Sequence, residues 1–256
     1  MAIPKIIHYC WFGKKEMPLK EKECVAGWKK FYPDYEFKIW NEDNFDYNKC
    51  IYARQAYERG YYAFVSDYVR AKVLYEYGGI YLDTDVKIIK KLPNVPEKGF
   101  LGFERRKFIG TAVMAAEPES ELIAELLNYY ERHEFVQQKG YIDSIANVSI
   151  LTDICRRKGL IPDGRKQKIE GFEIFSREFF YPKKLNDNTF ETTGETCAIH
   201  MCSNSWMTER EKKRGNNKIW INVLRPVLIK IRCCLRKLLG DEMVRKIEII
   251  VRNKMK

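Results

Sequence analysis

The 256-residue chain has no CxxC pair among its eight cysteines, Cys10, Cys24, Cys50, Cys155, Cys197, Cys202, Cys233 and Cys234, and no secretory leader is expected. A disulfide scaffold is therefore not expected, and the thiols read as reduced. Met1 to Trp11 carries one lysine and a single Ile6-Ile7 pair, far short of a signal-peptide core or a membrane span. These absences lead to the expectation of a cytoplasmic chain. No internal repeat, low-complexity stretch, HxxxH cluster or recognisable nucleic-acid motif is present. What is present excludes disorder: hydrophobic residues make up 45% and aromatics 14%, enough apolar material for a packed core to offset chain ordering. The length suits one large α/β domain, or a main domain with a small appendage.

Net charge is +11, and residues 217–256 hold +8 of it, so residues 1–216 carry only +3. The basicity belongs to the tail, which points to an anionic partner for the tail and says little about the main domain. Within the tail Trp220, Leu224, Val227, Leu228, Ile231, Leu235 and Leu238 recur at three- and four-residue spacing with Lys and Arg between them, and a second such segment follows Gly240. Pro226 marks a kink or a restart. Basic amphipathic helices of this kind suit an anionic membrane surface, peripheral on its inner face. The plainer alternative is a pair of helices packed on the main domain.

Along residues 1–216, Ile3 to Tyr9 reads as a buried strand, Pro18 to Phe31 as a covering helix and Tyr35 to Trp40 as a second strand. Tyr61 to Tyr77 has no Gly or Pro and places Val65, Val69, Val73 and Tyr77 on one helical face. Gly78-Gly79 closes that helix, and Ile80 to Ile89 reads as a strand interrupted by Asp-Thr-Asp. Leu101 to Phe103 and Phe108 to Ala115 read as strands, Ser120 to His133 and Ser144 to Arg157 as helices. Alternating strands and helices predict an α/β domain with a largely parallel sheet.

In a strand, residues two apart share a face, so Asp83 and Asp85 can present two carboxylates to one point. Such oxygens suit Mn2+ or Mg2+, which are held by one or two carboxylates together with substrate phosphates. The bland alternative is two solvated aspartates at a strand end. Their place after an apolar strand favours the site, since ligands of open α/β sheets gather at strand carboxyl ends. Asp67 and Arg70, three apart on the preceding helix, can accept sugar hydroxyls and grip phosphate, or form nothing more than an intrahelical ion pair.

Ile3-Pro-Lys-Ile-Ile-His8-Tyr-Cys-Trp11-Phe-Gly13, then Ser66-Asp67-Tyr-Val-Arg70-Ala, then Tyr77-Gly-Gly-Ile-Tyr-Leu-Asp83-Thr-Asp85 resemble glycosyltransferase family 32, the DxD sugar-binding group. That group contains capsule and lipopolysaccharide sugar transferases and fungal mannosyltransferases and is similar in its core to clostridial glucosylating toxins. The resemblance spans roughly the first half of the chain, with echoes at Asn147 to Thr152 and His200 to Trp206. It implies a GT-A-type fold, a nucleotide-activated sugar, a divalent metal and retention of anomeric configuration. By that resemblance Trp11 stacks on the nucleotide base and His8 lines the base pocket. Asp67 and Arg70 hold the donor sugar and phosphates, Asp83 the sugar or ribose, and Asp85 the metal, with Ser66 and Tyr81 among the substrate-binding residues. Asn147 falls near the reacting sugar, with Asn-Val in place of the usual Gly-Pro. Ser205-Trp206 looks like the element that closes over the diphosphate. His200 can complete the metal shell through a ring nitrogen, although a lone histidine after Cys197-Ala-Ile reads equally as a packed core residue.

The expectation is thus a metal-dependent retaining glycosyltransferase acting on a glycan or lipid-linked glycan acceptor in surface polysaccharide synthesis, with no nucleic acid bound. The rivals are a basic nucleic-acid or membrane-surface binding module without catalysis, and a metal-dependent hydrolase using the paired aspartates to activate water.

Overall fold

The computed structural model describes residues 3–94, 98–105, 107–137, 141–142, 145–184 and 189–203, together with 227–228, 231, 234–235 and 243–244. The chain divides into two compact units, Met1–Ser203 and Asn204–Lys256. The boundary expected between 216 and 217 lies outside the described residues.

The first unit opens with strand β1 (Ile6–Cys10), helix α1 (Leu19–Phe31) and strand β2 (Glu36–Trp40), followed by helices α2 (Ile51–Glu58) and α3 (Tyr62–Tyr77). Pro18, with φ near −60°, leads into α1, and Lys29 and Lys30 in its last turn complement the helix dipole. Helix α3 buries Val65, Val69 and Val73 completely, as their spacing predicts, while Tyr77 at its end is 40% exposed. It stops at Gly78, whose φ of 62° and ψ of −159° are open to glycine and little else.

Strand β3 (Gly79–Leu82) and strand β4 (Val86–Ile88) flank the Asp-Thr-Asp triplet. There follow β5 (Gly99–Arg105), β6 (Phe108–Ala116), α4 (Glu121–Arg132), β7 (Val136–Gln137), β8 (Tyr141–Ile142), α5 (Asn147–Arg157), β9 (Gln167–Ile169), β10 (Phe172–Phe175) and β11 (Ala198–His200). The central sheet has seven strands in the order β2-β1-β3-β6-β5-β10-β9. β2, β1, β3, β5 and β10 run one way, and β6 and β9 run against them. The sheet is therefore mostly parallel in direction and the fold is α/β. Side chains alternate across it: Ile80 and Leu82 join a core with Trp28 of α1, whereas Tyr81 joins the core built with α2, α3, α4 and α5.

One expectation is corrected. Ile80 to Ile89 is not one interrupted strand, because β3 belongs to the central sheet and β4 pairs with β11 in a separate two-stranded sheet. The chain leaves the central sheet in a turn, closed by the Val86 amide donating to the Asp83 carbonyl at 3.0 Å. Of the second unit, the described residues are helical, with Val227, Leu228 and Ile231 each 49% exposed and Val244 buried. No helix among the described residues is long and apolar enough to cross a membrane.

Candidate active site

β1 and β3 are parallel, with Ile7 opposite Ile80 and His8 opposite Tyr81, so Trp11 and Asp83 emerge at the same carboxyl edge of the sheet. The Asp83 amide still bonds the Ala112 carbonyl at 2.9 Å, which continues the ladder to β6 for one more residue. The chain then turns, and this turn, not strand alternation, brings the two carboxylates together. β11 returns antiparallel to β4, with His200 opposite Val86. Ligand atoms of Asp83, Asp85 and His200 consequently lie within 4.8 Å of one another, all partly accessible.

Asp85 Oδ1 lies 3.4 Å from His200 Nε2, and its Oδ2 accepts the Ser203 amide at 2.7 Å. Burial pushes the Asp85 pKa up, but the bonds from His200 and Ser203 outweigh it and bring it down to about 2. Burial would discharge His200, yet the Asp85 carboxylate holds its pKa well above the ordinary value. Two carboxylates and an imidazole form a donor set that fits a divalent cation such as Mn2+ or Mg2+.

Arg70, 5% exposed, organises the floor of the site. Its guanidinium reaches Asp67 Oδ1 at 3.0 Å and Asp83 Oδ1 at 3.2 Å, and donates to the Thr111 carbonyl at 2.6 Å and the Ser66 carbonyl at 3.3 Å. It also stacks over the Tyr81 ring, 4.7 Å from the centroid. The expected phosphate grip is thus occupied by protein: the fork brackets two carboxylates. Tyr81, itself buried, donates its hydroxyl to Asp83 Oδ1 at 3.1 Å, and burial keeps that phenol protonated. Burial, the largest influence, raises Asp67 to about 7 against the attraction of Arg70. Asn147, the first residue of α5, donates its amide to Asp67 Oδ1. The helix is held there by Thr152, whose hydroxyl accepts the Ile109 amide at 2.8 Å.

The remaining sequence candidates separate. Trp11 is partly exposed at the site edge, its indole closing the following loop on the Lys15 carbonyl at 2.6 Å. Ser66 is partly buried and bonds the Tyr62 carbonyl at 3.2 Å. His8 is wholly buried: Nδ1 accepts the Trp40 indole at 3.1 Å, which leaves Nε2 to donate to the Gly78 carbonyl at 2.9 Å. It tethers β1 to the end of α3, and burial lowers its pKa to about 4. Ser205 and Trp206 lie outside the described residues.

Sequence reasoning missed Ser203, Glu42 and Glu21. Glu42 Oε1 accepts the Gly13 amide at 2.6 Å and the Tyr57 hydroxyl at 2.9 Å, which fixes the loop after Trp11. Asn41, Asp43 and Asn44 are turn-forming residues around Glu42, and that pattern does not single it out. Nothing local distinguished Glu21 from the other charged residues of α1.

Residues 18–101 match the family described as a glycosyltransferase sugar-binding region containing a DXD motif. The inositol phosphoceramide mannosyltransferase 3 of Schizosaccharomyces pombe is 38% identical over 95 residues, 33% of this chain and 25% of that protein. The lactosylceramide 4-alpha-galactosyltransferase of Mus musculus is 31% identical over 132 residues, 51% of this chain and 35% of that protein. The chain therefore spans between 25% and 35% of the length of these curated relatives. Among solved structures, the PaToxG glycosyltransferase superposes with a TM-score of 0.51 at 19% identity, covering 62% of this chain and 70% of that one, a likeness of fold. The DXD turn at Asp83–Asp85 lies inside the family match, so residues 18–101 are similar to the glycosyltransferase sugar-binding region that contains the DXD motif.

Proposed function

We propose that the chain transfers a sugar from a nucleotide-sugar donor, a uridine or guanosine diphosphate sugar, to a glycan or lipid-linked glycan acceptor, with retention. The convergence of Asp83, Asp85 and His200 at the carboxyl edge of β1 and β3 carries this reading. Asp85 and His200, with Asp83 beside them, would hold Mn2+ or Mg2+, which when bound supplies neutralisation of charge on the departing diphosphate.

The chain's own residues set the geometry. Arg70 and Tyr81 both engage Asp83 Oδ1, so that carboxylate is fixed, and its remaining lone pairs suit a sugar or ribose hydroxyl. Asp67, steadied by Asn147 and Arg70, offers Oδ2 to the donor sugar on the side where α5 begins. Trp11 stands where a base can stack. An acceptor hydroxyl attacking the anomeric carbon on the leaving-group face passes its proton to the departing phosphate oxygen as the carbon–phosphate-oxygen bond breaks. That route asks the protein for positioning and electrostatics and for no nucleophilic side chain.

The relatives named above carry ceramide-linked acceptors in their names, which supports a lipid-linked acceptor here. We place the chain on the cytoplasmic side of the membrane, in surface polysaccharide synthesis, with the basic residues 217–256 against anionic lipid. The test is turnover of a panel of nucleotide sugars with Mn2+, with and without acceptor, on the wild-type chain and on Asp85→Asn. One donor should turn over, faster with acceptor, and Asp85→Asn should lose at least about a hundredfold of that rate. Turnover indifferent to every acceptor and yielding only free sugar would make the chain a hydrolase.

A further inference from the structure

Glu21 lies in the first turn of α1 and is 3% exposed. The free amides at a helix N-terminus favour a carboxylate, but such a group buried this deeply needs a hydrogen-bond partner as well. The partner comes from the far end of the unit: Ser203 donates its hydroxyl to Glu21 Oε1 at 2.9 Å. The same residue donates its backbone amide to Asp85 Oδ2 at 2.7 Å. Ser203 thereby bridges two carboxylates, one on α1 and one in the DXD turn.

The surrounding geometry makes this bridge a strap. Immediately before it the Met201 amide bonds the Asp85 carbonyl at 3.1 Å, and Cys202 takes a positive φ of 51° that bends the chain back. β11 has only three residues, and these bonds, together with the His200 amide donating to the Phe180 carbonyl at 3.1 Å, hold segment 200–203 over Asp85. α1 itself is fixed to the far side of the turn, where the Trp28 indole donates to the Val86 carbonyl at 2.7 Å. The helix therefore grips both the segment that leaves the DXD turn and the strap that crosses it.

On the proposed reading of the site as a cation centre, we infer that Glu21 is a positioning residue. It holds Ser203 so that the Ser203 amide fixes Asp85 Oδ2 and leaves Oδ1 turned to His200. Removing its acceptor oxygen frees the Ser203 hydroxyl, loosens the strap and lets Asp85 and His200 move apart. Supporting partners of metal ligands act in this way, and their loss typically weakens metal binding about 10- to 100-fold. Glu21 also carries charge, and the two roles separate by substitution. Glutamine keeps the acceptor and loses the charge; alanine loses both.

The experiment is calorimetric titration of the full chain with MnCl2, alongside thermal melts in chelator. The proteins are wild type, Glu21→Gln, Glu21→Ala, Ser203→Ala and the Glu21→Ala/Ser203→Ala double variant. Glu21→Gln should bind Mn2+ within about twofold of wild type, while Glu21→Ala and Ser203→Ala each weaken binding about tenfold. The double variant should be no weaker than Glu21→Ala, because both changes break one bridge. Unchanged affinity in Glu21→Ala, equal loss in Glu21→Gln and Glu21→Ala, or multiplied losses in the double variant would each overturn the inference. Ser203→Ala removes one hydroxyl, so it carries the test if Glu21→Ala does not fold. A wild-type chain that takes up no Mn2+ would instead overturn the cation reading itself, and the inference with it.

Discussion

Arg70 shows how single residues in this site serve more than one neighbour. Its guanidinium is shared between Asp67, Asp83 and the Thr111 carbonyl in a nearly sealed position. Arg70→Ala leaves two carboxylates without their counter-charge and should cost about 3–5 kcal/mol in urea denaturation. Arg70→Lys should recover only part of it, since one ammonium cannot reproduce the fork; a loss under about 1 kcal/mol for the alanine variant would contradict this account. His8 gives a pH signature. Its pKa falls from 6.5 to about 4 on folding, burial being the main cause. The unfolded chain thus binds more protons there between those values, and the stability this group contributes is complete above pH 6.5 and lost as pH falls toward 4. Denaturation curves across that window should show His8→Gln lacking a loss of roughly 3 kcal/mol that the wild type displays. Parallel curves would remove the group from the acid response.

Elements place these residues, and they differ in how far the sequence betrayed them. α3 was legible because Val65, Val69 and Val73 mark one face and Gly78-Gly79 end it; β1 and β6 were legible as apolar runs, and β2 by the alternation of Phe37 and Ile39 with Glu36 and Lys38. α2 was passed over, since its buried face is Tyr52, Ala53 and Ala56, with little apolar contrast over eight residues. β9, β10 and β11 are too short to show a period. The convergence of Asp83 and Asp85 was anticipated, but through strand alternation where the chain in fact turns. The Ser203 amide joins Asp85 across 118 residues, a pairing that no local pattern encodes. His200, left open between core and site, lies beside Asp85 because β11 pairs with β4, and that pairing too is long-range. Close strand packing yields its own prediction. Gly79 has φ of 97°, and a Cβ there would sit 2.7 Å from the Ile6 carbonyl oxygen of β1. Gly79→Ala should destabilise the chain by about 1–3 kcal/mol in thermal or urea unfolding, with an unchanged midpoint as the contrary result. The Glu42 brace makes a different one: Glu42→Ala should weaken nucleotide quenching of tryptophan fluorescence several-fold while Mn2+ affinity stays put, whereas Glu42→Gln retains both. Equal quenching in Glu42→Ala would detach the Trp11 loop from donor binding.

At the scale of the whole molecule, the first unit brings a DXD turn, a histidine strand and a bracketed carboxylate pair to one sheet edge, while most of the net positive charge belongs to residues 217–256. That division underlies the proposed membrane role of the tail. Flotation with anionic liposomes should be lost when residues 217–256 are deleted and should weaken with salt; flotation that survives the deletion would end that proposal. The central claim is that the Asp83–Asp85 turn and His200 receive a cation that holds a sugar diphosphate. It is tested most directly by a crystal of the chain soaked with MnCl2 and a nucleotide sugar, measured for anomalous scattering. The account predicts a manganese peak bonded to Asp85 and His200 with diphosphate oxygens completing its shell. Diphosphate bound elsewhere, or a peak absent from this turn while donor is present, would contradict it.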